Sequence, residues 1–287
     1  MTLDDMIGPL VAVTLIELMV TTGLGVRFAD VMDAASDWRL VARAGLANYV
    51  GVPATAVLLL LLLDPDPMVS AGVLILAVCP GAPYGPPLTA IAGGTTAISV
   101  GLMVILAGSS VFVAPVVLSL LPPFTSRGGD LHVDAIGMLG VMLATQLLPL
   151  CCGLAVNRWL PDLAARLLRP AIAISKVLNA ATLAVILTSQ FPRLLGVRFI
   201  GVVGMLVLLA VSLLIGWFSG GERDEDRRAL ALTTAIRNVG LGVEVTAGAF
   251  AGTSAVTAVL AYGLIQLLGS FLMALWWRRG PARAAVR

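Results

Sequence analysis

The sequence predicts an all-α polytopic membrane protein of about nine transmembrane helices, built as an inverted repeat with two interrupted helices. Three observations predict it. Apolar residues make up 59% of the 287-residue chain and charged residues 12%, against about 25% charged in an ordinary globular protein, so a water-facing surface cannot be assembled. Apolar runs near the ~20 residues that span a bilayer core recur from end to end. Two of those runs carry backbone-breaking or strongly polar residues at corresponding places.

Taken in order, the first span is 6–26, with Glu17 inside it. The second, 40–63, carries Asn48 five residues before Pro53. The third, 67–95, begins as a regular apolar helix from Pro67 to Cys79 and then reads Pro80-Gly81-Ala82-Pro83-Tyr84-Gly85-Pro86-Pro87. Prolines at this density leave carbonyls without intrahelical donors, and inside a bilayer such backbone survives only when buried in protein or lining a wet cavity. The fourth span, 96–121, closes a first repeat of four spans, 6–121. A second repeat of five, 135–277, holds spans at 135–156, 168–190, 195–218, 229–251 and 253–277. Its span 229–251 contains Thr233-Thr234-Ala235-Ile236-Arg237-Asn238-Val239-Gly240-Leu241-Gly242, which puts Arg, Asn and two Gly near mid-membrane. Paired interruptions in corresponding places of two halves point to a transporter binding site. The whole chain, 1–287, reads as one transmembrane transporter domain.

Arginine placement sets the orientation, because Lys and Arg gather in cytoplasmic loops. With the N-terminus outside, the inner segments hold thirteen arginines (Arg27, Arg39, Arg43, Arg158, Arg166, Arg169, Arg223, Arg227, Arg228, Arg278, Arg279, Arg283, Arg287) and the outer loops three, Arg127, Arg193 and Arg198. This predicts a plasma (inner) membrane protein with its N-terminus outside and its C-terminus cytoplasmic. The start, Met1-Thr2-Leu3-Asp4-Asp5, is acidic where a signal peptide is basic, so the first apolar segment is expected to be a mature span.

The composition excludes other classes. One His and three Cys cannot assemble an ordinary zinc site, an iron–sulfur cluster or a disulfide framework. A net charge of +2 offers no basic patch for nucleic acid. No Ser/His/Asp, paired-carboxylate or metal-ligand pattern is visible, so the chain reads as a non-enzyme without a cofactor. Cys79, Cys151 and Cys152 read as small buried hydrophobes, and His132, beside Asp130 and Asp134, as a solvated loop residue.

An ionisable group at bilayer depth costs at least about 2.5–3.5 kcal/mol on insertion scales, so Glu17, Lys176, Arg237 and Glu244 each need a reason. Arg237 is a fixed cation that holds an anionic substrate or stands where a coupling cation would sit; the structural alternative is an internal pair with Glu17 or Glu244. Lys176, Asn179 and Thr182 recur at i, i+3 along one helix face, a stripe able to line a cavity, although a lysine near a helix end also snorkels to the interface. Asn48 reads equally as an interhelical hydrogen-bonding residue.

Several of these residues together resemble the bile acid:sodium symporter family. Cys79-Pro80-Gly81 ending an apolar helix, followed by Ala97-Ile98-Ser99-Val100, resembles the Cys-Pro-Gly-Gly break of that family's first crossover helix. Arg237-Asn238-Val239-Gly240-Leu241 resembles its Gln-Asn-Ser-Gly-Leu at the second crossover. Asn48 with Pro53 falls where the family has a Gln five residues before a Pro, and Gly23-Leu24-Gly25 resembles its first glycine turn, in a nine-span form lacking the first helix. The resemblance implies a core domain with two crossing broken helices, a panel domain that rocks against it, and transport of organic anions, usually with sodium.

The departures fall on the ion sites. Where the family holds sodium with a Ser-Asn pair, a Glu and a Gln, this chain has Gly85-Pro86, Thr233 and Arg237. Loss of the carboxylate and gain of a permanent cation predict repulsion of sodium rather than compensation. The expected function is a secondary or facilitative transporter of a small organic anion working by alternating access within the lipid bilayer. Proton coupling through Glu17 or Glu244 stays open. The candidate binding residues are Arg237, Asn238, Thr233, Thr234, Asn48, Tyr84, Gly85, Pro86, Glu17, Lys176 and Asn179. Three alternatives stand beside this: sodium-coupled symport through backbone carbonyls, Thr233, Thr234 and Asn48; a membrane receptor that binds without turnover; and a metalloid permease resting on Cys79.

Overall fold

The computed structural model describes residues 3–120, 134–250 and 252–279, with side chains from residue 7 onward; Arg127, His132, Arg283 and Arg287 lie outside them. Among the described residues the chain is helical and contains no strand. Helices α1 (Leu3–Gly25) and α2 (Phe28–Ser36) lead into α3 (Trp38–Leu46), one π-helical turn (Ala47–Gly51) and α4 (Val52–Leu63). A broken pair follows, α5 (Pro67–Ala77) and α6 (Gly85–Ala92), then the unbroken α7 (Thr96–Leu120). Next come α8 (Ala135–Met142), a second π-helical turn (Leu143–Leu147), α9 (Leu148–Trp159), α10 (Pro161–Leu195) and α11 (Phe199–Ser219). A second broken pair, α12 (Asp224–Ala235) and α13 (Val239–Ala249), precedes α14 (Ser254–Arg279).

Among the described residues, seven stretches are long and apolar enough to cross a membrane: Ile7–Gly25, Trp38–Leu63, Thr96–Leu120, Ala135–Trp159, Pro161–Leu195, Phe199–Ser219 and Ser254–Arg279. The other two expected spans are the broken pairs. Three departures from the sequence reading have local causes. The span expected at 168–190 extends over 161–195 as the 35-residue α10, because hydropathy stops at Arg166 and Arg169 while Leu, Ala and Arg remain good helix formers. The segment after the first span contains α2, which packs on α7: Gly101 has no side chain there, and Asp30 O and Ala34 fill the space. Gly23 is not a turn residue. It sits inside α1 against Gly153 of α9, where a Cβ on either would meet the other helix's backbone.

The two π turns share an origin. Val52 N–H reaches back to Ala47 O and Leu148 N–H to Leu143 O, and the next residues are Pro53 and Pro149. Proline brings no N–H, so a carbonyl in the preceding turn loses its donor and the ladder slips to i→i+5 bonding. Each π turn carries one buried amide, Asn48 and Gln146, both 0% exposed. In the packing of the bundle, α1 lies against α9 and α10, while α5 lies against α14 and α11 against α12.

Candidate functional site

The two interrupted helices meet at their interruptions. After α5 the backbone turns at Gly81, whose φ of +85° is a conformation only glycine adopts without strain. Asn238, between α12 and α13, donates its backbone N–H to the carbonyl of Cys79 at 2.8 Å. The second break is held by two glutamines. Gln266 of α14 accepts from the Arg237 N–H at 3.1 Å and donates to the Arg237 carbonyl at 2.9 Å, so one side chain satisfies both backbone groups that the broken ladder releases. Gln146 accepts from Asn238 Nδ2 at 2.9 Å and donates to Ala107 O and Ser110 Oγ of α7. Asn238 Oδ1 caps α13 by accepting from Leu241 N–H. Sequence reasoning misses both glutamines. Gln146, a lone amide three residues before a proline in an apolar span, carries the same signal as Asn48.

Arg237 is among the largest fully buried side chains of the described residues, 1% exposed. Its guanidinium makes one hydrogen bond, Nη1 to Asn48 O at 3.4 Å, and Nε and Nη2 have no partner. Tyr49, Cys79 and Tyr262 lie within its electrostatic reach. The expected alternative of an internal ion pair is overturned. Glu17 accepts from Thr21 and Ser175, one Glu244 carboxylate oxygen is buried without a partner, and Arg237 forms no ion pair with an acidic residue among the described residues. An unpaired buried guanidinium is costly. Its surroundings are tyrosines, a thiol and a backbone carbonyl.

Next to it lies a chain of buried hydroxyls. Thr89 donates to Ser99 at 3.0 Å, Ser99 and Thr233 share a hydrogen bond at 3.0 Å, and Asn48 Nδ2 donates to Thr234 at 3.3 Å. Gly85 and Pro86, both buried, start α6 beside this cluster; a Cβ on Gly85 would lie 3.8 Å from both Ser99 Oγ and Thr233 Oγ1. These donors are oxygen-rich but uncharged. The cluster holds hydroxyl dipoles and no carboxylate.

A cavity of about 290 Å³ opens beside the breaks, lined by α1, residues 82–84, α10, residues 236–240 and α14. Tyr84, 44% exposed, crosses from the first break to donate to Asn179 Oδ1 of α10 at 3.1 Å. Thr14 and Thr182 pair at 2.7 Å on the opposing helices. Lys176 does not join this face. It is exposed, while Asn179 and Thr182 of the expected stripe do face inward and Ser175 takes the lysine's place, because α1 packs against that side of α10. Glu17 likewise binds α10 through Ser175 rather than approaching Arg237.

Discontinuous helices whose released backbone groups meet inside an apolar bundle, beside a cavity, define a membrane transport protein. The chain belongs to the Sodium Bile acid symporter family, whose model matches residues 12–196, through the first break and short of the second. It is similar to the probable sodium/metabolite cotransporter BASS1, chloroplastic, of Arabidopsis thaliana, 25% identical over 272 residues, which cover 92% of this chain and 65% of that protein. It is also similar to the uncharacterized sodium-dependent transporter YocS of Bacillus subtilis, 25% identical over 245 residues, 84% of this chain and 74% of that protein.

Proposed function

We propose that the protein carries a small organic anion across the membrane by alternating access, with Arg237 standing in place of a coupling cation. The observation that carries this reading is the buried Arg237 at the second break, with no acidic partner among the described residues. A cation fixed there supplies, without an ion, the positive field that an anion in the adjoining cavity needs. The guanidinium acts from inside the bundle, behind Asn48, and the substrate is oriented by Tyr84, Asn179, Asn238 and the threonines. In this reading α1, α9 and α10 form the panel, the broken pairs with α7, α11 and α14 form the core, and 6–121 and 135–277 are the repeats. The N-terminus lies outside and the C-terminus in the cytoplasm.

The test is a thermal-shift titration of purified protein with sodium against potassium at equal ionic strength, since a ligand bound only by the folded form stabilises it with the logarithm of its concentration. No sodium-specific shift is expected for the wild type, and one is expected for Arg237→Gln with Thr233→Glu. A sodium shift in the wild type would overturn the assignment of Arg237. It would favour the second reading, a sodium-coupled carrier, which rests on the names of both relatives and the Thr89–Ser99–Thr233 hydroxyls.

A further inference from the structure

A second cavity, of about 540 Å³, shares no lining residue with the one at the breaks. It lies at the N-terminal side of the bundle, where α4 turns into α5 and α10 into α11. Its walls are aliphatic, among them Leu59, Leu60, Val69 and Met205. Room for it comes from Gly201 on α11, where an added Cβ would meet nothing nearer than Val197 Cγ1 at 3.9 Å. The mouth is polar and basic, with Arg193, Arg198, Asp66 and Ser254. Asp66 is engaged, accepting from Met68 N–H at 2.9 Å and Ser254 Oγ at 3.2 Å. Arg193 is already engaged, Nη1 donating to Gln190 Oε1 at 3.3 Å, whereas the Arg198 guanidinium has no partner among the described residues.

The charge distribution makes this mouth unusual. In the orientation that the arginine pattern of the sequence predicts, few arginines fall on this side of the membrane, and Arg193 and Arg198 both edge one apolar cavity. We infer that the cavity holds an anionic membrane lipid, its phosphate at Arg193 and Arg198 and one acyl chain between α4 and α11. The bilayer is the source of the occupant because the walls are apolar while the mouth lies at helix ends, the depth of lipid headgroups. Guanidinium forks match phosphate oxygens. A lipid there ties α4 to α11 and supports the core without entering the transport path. This inference stands apart from the role of Arg237.

Delipidated full-length protein in neutral detergent tests it, with phosphatidylglycerol, phosphatidylcholine or inorganic phosphate added, read by thermal shift and by lipid retention in native mass spectrometry. Phosphatidylglycerol is expected to raise the melting temperature and to be retained as one molecule, with phosphatidylcholine weaker and phosphate alone inert. Arg193→Gln with Arg198→Gln is expected to weaken phosphatidylglycerol retention roughly thirtyfold, since two interfacial cations no longer face the headgroup. Gly201→Leu, which fills the cavity, should abolish retention of both lipids. Equal effects of the two lipids, an equal shift from phosphate alone, or retention unchanged in the double-arginine variant would each overturn the inference, whether or not Gly201→Leu folds.

Discussion

The Cys79 carbonyl accepts from the Asn238 N–H at 2.8 Å, so each broken helix finds at the other's interruption a partner that its own ladder no longer supplies. The junction is a backbone contact, independent of which side chains occupy those two positions. Around it, Gln266 and Gln146 complete the polar accounting from two other helices.

Gln266→Leu leaves the Arg237 N–H and carbonyl both unpaired and buried. Each orphaned group costs about 1–3 kcal/mol, so the variant is expected to lose about 2–4 kcal/mol of stability. Denaturant or thermal unfolding in detergent measures it, and a loss under about 1 kcal/mol would show that the break is held elsewhere.

Thr233→Glu alone is expected to confer no sodium response. The new carboxylate stands on the last turn of α12, just before the break that carries Arg237, and neutralises the guanidinium instead of recruiting an ion. Sodium-dependent stabilisation should appear only when Arg237→Gln is added, and a response in the single variant would show that the arginine does not command the site.

Tyr84→Phe removes the hydrogen bond to Asn179 across the cavity. Because Tyr84 is exposed, the stability change is expected to stay below about 1 kcal/mol, while substrate binding or turnover changes. Tyr84→Phe and Asn179→Leu should be non-additive in a double-mutant cycle of uptake rates; simple additivity would separate the two residues.

Gly153→Val drives a side chain into the α1 backbone at Val20 and Gly23. Overpacking of this kind costs typically about 1–3 kcal/mol and more where backbone must move. Reduced folded yield in fluorescence size-exclusion is the readout, and wild-type yield would show that α1 and α9 separate without cost.

The spans are legible because each one is a long apolar run, and the breaks because proline, glycine and a buried charge interrupt two of them. Asn48, Thr233, Thr234, Arg237 and Asn238 stand together as residues of one buried network. What the sequence does not display is phase and partnership. Lys176 rather than Ser175 stands out on α10 because charge is conspicuous, yet packing against α1 turns the serine inward. Gln266 looks like any polar residue in a terminal span, since its partners belong to backbone groups freed by a break elsewhere in the chain. The first glycine pair has the look of a turn, and only the approach of α9 shows that Gly23 serves a helix contact.

A cation that is part of the polypeptide returns with the empty carrier, so it contributes no net charge to a completed cycle. With Arg237 in that role, each turnover moves the uncompensated charge of the anion, and transport is electrogenic. Moving one elementary charge through 100 mV is worth about 2.3 kcal/mol, and an inside-negative potential therefore opposes uptake and drives release. A symporter that brings in two sodium ions with each monovalent anion feels that same potential with the opposite sign. Replacing a bound ion by a guanidinium thus turns the membrane voltage from an accumulating force into an expelling one.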